Sequence, residues 1–129
     1  MFGIPPDENF DFLTGKLLQQ MCFGENELVL HFDDPTVDPR VVRDIPKIMC
    51  IIEADIEIIT HIRGRRLAED ARSLASDLVN LLGKHVIDVR TTPRALSLIF
   101  DNEYTLVLHD SEERYESFNI RYGDRTIVV

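Results

Sequence analysis

The chain repeats itself. Leu13, Gly15, Lys16, Leu18, Met21, Leu28, Leu30, Phe32 and Asp33 recur 68 residues later, without a gap, as Leu81, Gly83, Lys84, Val86, Val89, Leu96, Leu98, Phe100 and Asp101. Each copy, about 13–34 and about 81–102, runs from an apolar residue through Gly-Lys, an alternating stretch and a short polar break to Leu-x-Leu-x-Phe-Asp or its close equivalent. Period-two alternation on both sides of a polar break is the mark of two strands joined by a tight turn. A lone hairpin is at best marginally stable in water, so the two copies must share a core. With 129 residues and no linker or low-complexity segment, one domain over 1–129 is expected. The repeated positions suit a core and its turns, so the repeat constrains architecture and leaves chemistry open.

Between and around the copies the pattern changes. Gly24-Glu25-Asn26-Glu27 separates the apolar runs of the first hairpin and Thr91-Thr92-Pro93-Arg94 those of the second. Asp38 followed by Pro39 predicts a capped helical turn running to about Ile45, before Pro46. From Lys47 to Ile62 the chain is rich in isoleucine and alternates from Cys50, which predicts a half-buried strand or strand pair. Leu67, Ala71, Leu74, Ala75, Leu78, Leu81 and Leu82 fall at helical spacing with Gly83 as a C-terminal cap, predicting a helix over about 66–82. Tyr104 to His109, Phe118 to Tyr122 and Thr126 to Val129 read as further strands. The expected class is α+β: an antiparallel, curled sheet built from two repeated hairpin units with one main helix between them.

The acidic balance, 23 Asp and Glu against 14 Lys and Arg for a net charge of -9, argues against nucleic acid and anionic lipid as partners and favours encounter with a basic protein. No apolar run is long enough to span a bilayer, and Met1 to Phe12, with Asp7, Glu8 and Asp11, lacks the form of a signal peptide, so a cytoplasmic location is expected. Cys22 and Cys50 lie in apolar runs and read as buried free thiols. Histidines 31, 61, 85 and 109 are scattered without ligand spacing, so no metal is expected. No glycine-rich phosphate loop, nucleophile elbow or His-Glu-x-x-His occurs, and the expectation is a non-enzyme without cofactor, monomeric or homodimeric.

The segments Leu13-x-Gly15-Lys16, Cys22-Phe23-Gly24, Leu28-x-Leu30-x-Phe32-Asp33, Leu96-Ser97-Leu98-Ile99-Phe100-Asp101-Asn102, Leu106 to His109, Asp110-Ser111, Tyr115-Glu116-Ser117-Phe118-Asn119-Ile120 and Thr126-Ile127-Val128-Val129 together resemble a family of small bacterial domains of unknown function. The chain departs from that pattern at Asn102-Glu103, where Asn-Gly is common in the family, and over 34–62. The resemblance implies a bacterial protein of duplicated fold. Small acidic families of this type recur beside polymorphic toxins as immunity proteins, which implies a toxin domain as the basic partner.

Three constellations are candidates for a site. Glu53, Asp55 and Glu57 share one face of the predicted strand at about 7 Å intervals, either offset by a neighbouring Arg or Lys or free to dock a basic protein. Asp110, Glu112, Glu113 and Glu116 surround Tyr115 in a predicted loop, either as turn caps with a packed ring or as an interface anchor. Arg63, Arg65 and Arg66 precede the predicted helix, either paired with nearby carboxylates or, with the helix's free N–H groups, forming an anion site. The first two support an immunity protein that neutralises a basic, nuclease-type toxin. The third supports the alternative, a small ligand-binding or housekeeping module.

Overall fold

A computed structural model describes residues 3–38, 40, 47–110 and 117–129. The helical turn expected from Asp38 to about Ile45 lies almost wholly outside the described residues, as do Glu112, Glu113, Tyr115 and Glu116. The strands are β1 (Leu17–Phe23), β2 (Leu28–Asp33), β3 (Ile48–Ile52), β4 (Ile56–Thr60), β5 (Gly64–Ala68), β6 (Val86–Thr92), β7 (Ala95–Phe100), β8 (Thr105–His109), β9 (Phe118–Tyr122) and β10 (Arg125–Val128). All pair antiparallel, in two five-stranded sheets of order β1-β2-β3-β9-β10 and β6-β7-β8-β4-β5. The fold is thus α+β and dominated by antiparallel strands, with a single short helix among the described residues, and neither sheet closes on itself.

The two orders are the same order twice. Strands β1 to β5 form one unit and β6 to β10 a second, and each unit builds three strands of its own sheet before crossing to add a hairpin to the edge of the other. Registers agree in detail: the strand pairing slips between Leu18 and Gln20 in β1 and at the matching step, between Val86 and Asp88, in β6. Where the units meet, their contacts are reciprocal. Gly15 N donates to Val86 O at 2.7 Å and Gly83 N to Leu18 O at 2.9 Å; Leu18 N donates to Lys84 O at 3.0 Å and Val86 N to Lys16 O at 2.9 Å. An antiparallel bridge joins the equivalent residues Leu17 and His85. Equivalent groups exchanging equivalent bonds define a two-fold relation, the geometry of an isologous dimer within one chain.

The inner faces of both sheets enclose one core, in which equivalent positions are buried in both units: Leu30 and Leu98, Phe32 and Phe100, Ile52 and Leu108, Ile120 and Ile58. The Lys47 to Ile62 run proves to be a strand pair: β3 and β4 keep one alternation, with Cys50, Ile52, Ala54, Ile56, Ile58 and Thr60 all buried, while the chain passes from one sheet to the other at 53–55.

The predicted helix over about 66–82 is shorter than its periodicity. Residues 64–68 form β5 on β4, Leu67 is 63% exposed, and helical geometry begins with a 3-10 turn at Ala71–Leu74, continues as α1 (Ala75–Leu78) and ends in a 3-10 turn at Val79–Leu81. Pairing with the otherwise bare edge of β4 outweighs the helix preference of those residues.

Candidate binding cleft

The sequence-predicted carboxylates Glu53, Asp55 and Glu57 fall in two settings. Glu53 and Asp55 are half-buried in the crossing between sheets, where Glu53 N donates to Ser117 O at 2.9 Å and Asp55 O accepts from His109 N at 3.1 Å. Glu57 lies in β4 and is buried; its Oε1 is 3.1 Å from His109 Nε2 and its Oε2 3.2 Å from Arg65 Nε. Glu53 and Asp55 thus lie in the crossing and Glu57 within β4, where an arginine of the neighbouring strand holds it.

Asp110 is also committed internally. Its carboxylate is fully buried and accepts from Gly3 N, from Ser117 Oγ at 3.0 Å and from Arg94 Nη1 at 2.6 Å, which fastens the N-terminal segment to the second unit. The three arginines lie ahead of and within β5: Arg66 Nη1 is 2.7 Å and Arg63 Nη1 3.8 Å from the buried carboxylate of Asp77, in the first turn of α1, and Arg65 is on Glu57. The helix N–H groups expected to complete an anion site beside them belong to the turn that begins at Ala71 instead. The four histidines are dispersed, with His61 on Glu103, His85 on Asp101 and His109 on Glu57. Among the described residues no group of three or more His, Cys, Asp or Glu could hold a metal ion, and no helix is long and apolar enough to cross a membrane. Cys22 and Cys50 are free thiols, and burial pushes Cys50 up to about 12.

What the structure does bring together is a cleft of about 290 Å³ at the end of the first sheet, between the β1–β2 turn, the crossing at 53–54 and the residues leading into α1. Among the described residues its rim carries five carboxylates, Glu25, Glu27, Glu53, Glu69 and Asp70, against one cation, Arg72. Buried Leu28, Ile52, Ala54 and Ile56 form an apolar floor. Asp70 caps the helical turn by accepting from Arg72 N at 2.9 Å, and its oxygens also hold the Arg72 guanidinium, Nη2 at 2.8 Å. These hydrogen bonds keep the Asp70 carboxyl below the usual carboxylate range, and Asp70 first, then Glu25 more weakly, raise Arg72. Among the described residues Glu27, Glu53 and Glu69 have no cation within ion-pair distance. The rim is therefore a concave concentration of negative charge around an apolar floor, the form that recognises a cation carried on an apolar stem.

Only Glu53 of this rim was a candidate from sequence. A signal for Glu25 and Glu27 does exist: the first copy's turn, Gly24-Glu25-Asn26-Glu27, is acidic where the aligned Thr92-Pro93-Arg94-Ala95 of the second is not.

Comparison with known proteins returns no match: no family model, no curated protein and no solved structure is similar to this chain.

Proposed function

We propose that this chain is a non-enzymatic acidic binding protein that docks a basic protein partner at the cleft rimmed by Glu25, Glu27, Glu53, Glu69 and Asp70. The observation that carries the reading is the convergence of these five carboxylates on an apolar floor with, among the described residues, a single rim cation, already engaged by Asp70. Lysine or arginine side chains of a partner would lay their stems on Leu28, Ile52 and Ile56 and set their charges among the glutamates. The net charge of -9 would steer the encounter over longer range. The resemblance described above gives the partner a class, a bacterial toxin domain of nuclease type, and gives this chain the role of its cytoplasmic immunity protein. The alternative, an anion-binding module at Arg63, Arg65 and Arg66, draws no support from guanidiniums engaged by Asp77 and Glu57.

The test is affinity capture of the tagged protein from its own cells, washed at low salt and then at about 1 M salt, where charges are screened beyond about 3 Å. One stoichiometric basic protein, retained at low salt and released at high, is the expected result. Recovery of nothing, or of a partner indifferent to salt, overturns the reading.

A further inference from the structure

The two-fold relation makes the second unit an internal comparison for the cleft. Glu25 and Asn26 correspond to Pro93 and Arg94, and Ala71 and Arg72, eight residues before the helical turn ending each lead-in, correspond to Gly3 and Ile4. In the second unit that groove is filled by the chain itself: Ile4 N donates to Pro93 O at 2.9 Å, the Ile4 side chain is buried at 8% exposure, and Gly3 N is held by Asp110. Closure there depends on glycine. Gly3 has φ +92°, and a Cβ on it would lie 3.1 Å from Pro93 O. The first unit has Ala71 at this position, in a 3-10 turn, and Arg72 N turns to Asp70 Oδ1 instead of the Glu25 carbonyl. The groove that closes on the Gly3–Ile4 segment in one unit thus stands open in the other.

We propose that the open cleft seats a main-chain segment of the basic partner, as the equivalent groove seats Gly3–Ile4. This rests on the reading of the cleft as the binding surface. A partner N–H donates to the Glu25 carbonyl in the manner of Ile4 N to Pro93 O, an apolar side chain enters over Leu28 and Ile52, and flanking lysines or arginines meet Glu27, Glu53 and Glu69. A glycine before the apolar residue matches the strain seen at Gly3. Backbone hydrogen bonding then supplies register and the carboxylates select for positive charge.

Two peptides of equal charge test this on the full-length protein: acetyl-Lys-Gly-Ile-Lys-amide, and the same peptide N-methylated at Ile so that the N–H is removed. Dissociation constants and backbone amide shifts are followed by NMR. The expected result is saturable binding with shifts centred on residues 25–28 and 53–54, and at least tenfold weaker binding of the methylated peptide. Equal binding of both overturns main-chain seating while leaving the acidic docking reading standing. Absence of binding by either peptide overturns it too, and the salt-dependent capture then decides the docking reading separately.

Discussion

At the scale of single residues, the two units differ most tellingly where one has a charge and the other an apolar group. Ile58 and Ile120 are equivalent, so their partners Arg66 in β5 and Ile127 in β10 are equivalent too. Ile127 is buried at 4% exposure, whereas Arg66 at that position bonds to Asp77, whose own counterpart by the repeat is Asn9. Removing one member of such a pair strands the other, while replacing both with groups that pack is close to neutral. Asp77→Ala is expected to lower stability by about 2–4 kcal/mol in urea unfolding. Arg66→Ile combined with Asp77→Asn, which installs the second unit's residues, is expected to recover to within about 1 kcal/mol of the parent. A double variant no more stable than the single one would contradict the equivalence.

At the scale of elements, the matched glycines offer a sharper test of the duplication. Gly15 and Gly83 follow matched 3-10 turns, Asp11–Leu13 and Val79–Leu81, at φ +86° and +79°, and nothing lies within 4 Å of a Cβ built on either. Substitution by alanine therefore meets only the backbone cost of the left-handed region, about 1–2 kcal/mol. Gly15→Ala and Gly83→Ala are expected to cost the same within about 0.5 kcal/mol, read from urea midpoints; clearly unequal losses would mean that the two junctions are not equivalent. The hairpins were legible in the sequence because period-two alternation survives in both copies around their turns. The exchange of β4-β5 and β9-β10 between sheets was not, because connections of different length hide the repeat beyond Asp33 and Asp101. Residues 34–47 precede β3 where only 101–104 precede β8, and 53–55 precede β4 where 110–117 precede β9. Leu67 was drawn into the helix by its spacing, a local signal that strand pairing across β4 overrode. The cleft was hidden for a related reason: its rim comes from segments around residues 25, 53 and 70, and only the crossing of the chain between sheets brings them together.

At the scale of the whole molecule, each unit completes the other's sheet and both bury their apolar faces in one core, so neither is a finished fold by itself. The duplication nevertheless does not duplicate the groove. One groove is closed by the N-terminal segment through Gly3, Ile4 and Asp110, and the other is left open under a rim of carboxylates. The proposed docking at the cleft rests on that asymmetry more than on the overall charge. The most direct measurement compares two charge reversals of equal size against the captured partner: Glu25→Lys with Glu27→Lys and Glu53→Lys at the cleft, and Asp7→Lys with Asp33→Lys and Asp124→Lys at exposed sites that do not line it. Both triple variants change net charge by the same amount, so long-range steering is lost equally, and circular dichroism checks that each is folded. The expected result is at least a hundredfold loss of affinity for the cleft variant and less than tenfold for the other. Equal losses would show that overall charge, and not the cleft, holds the partner.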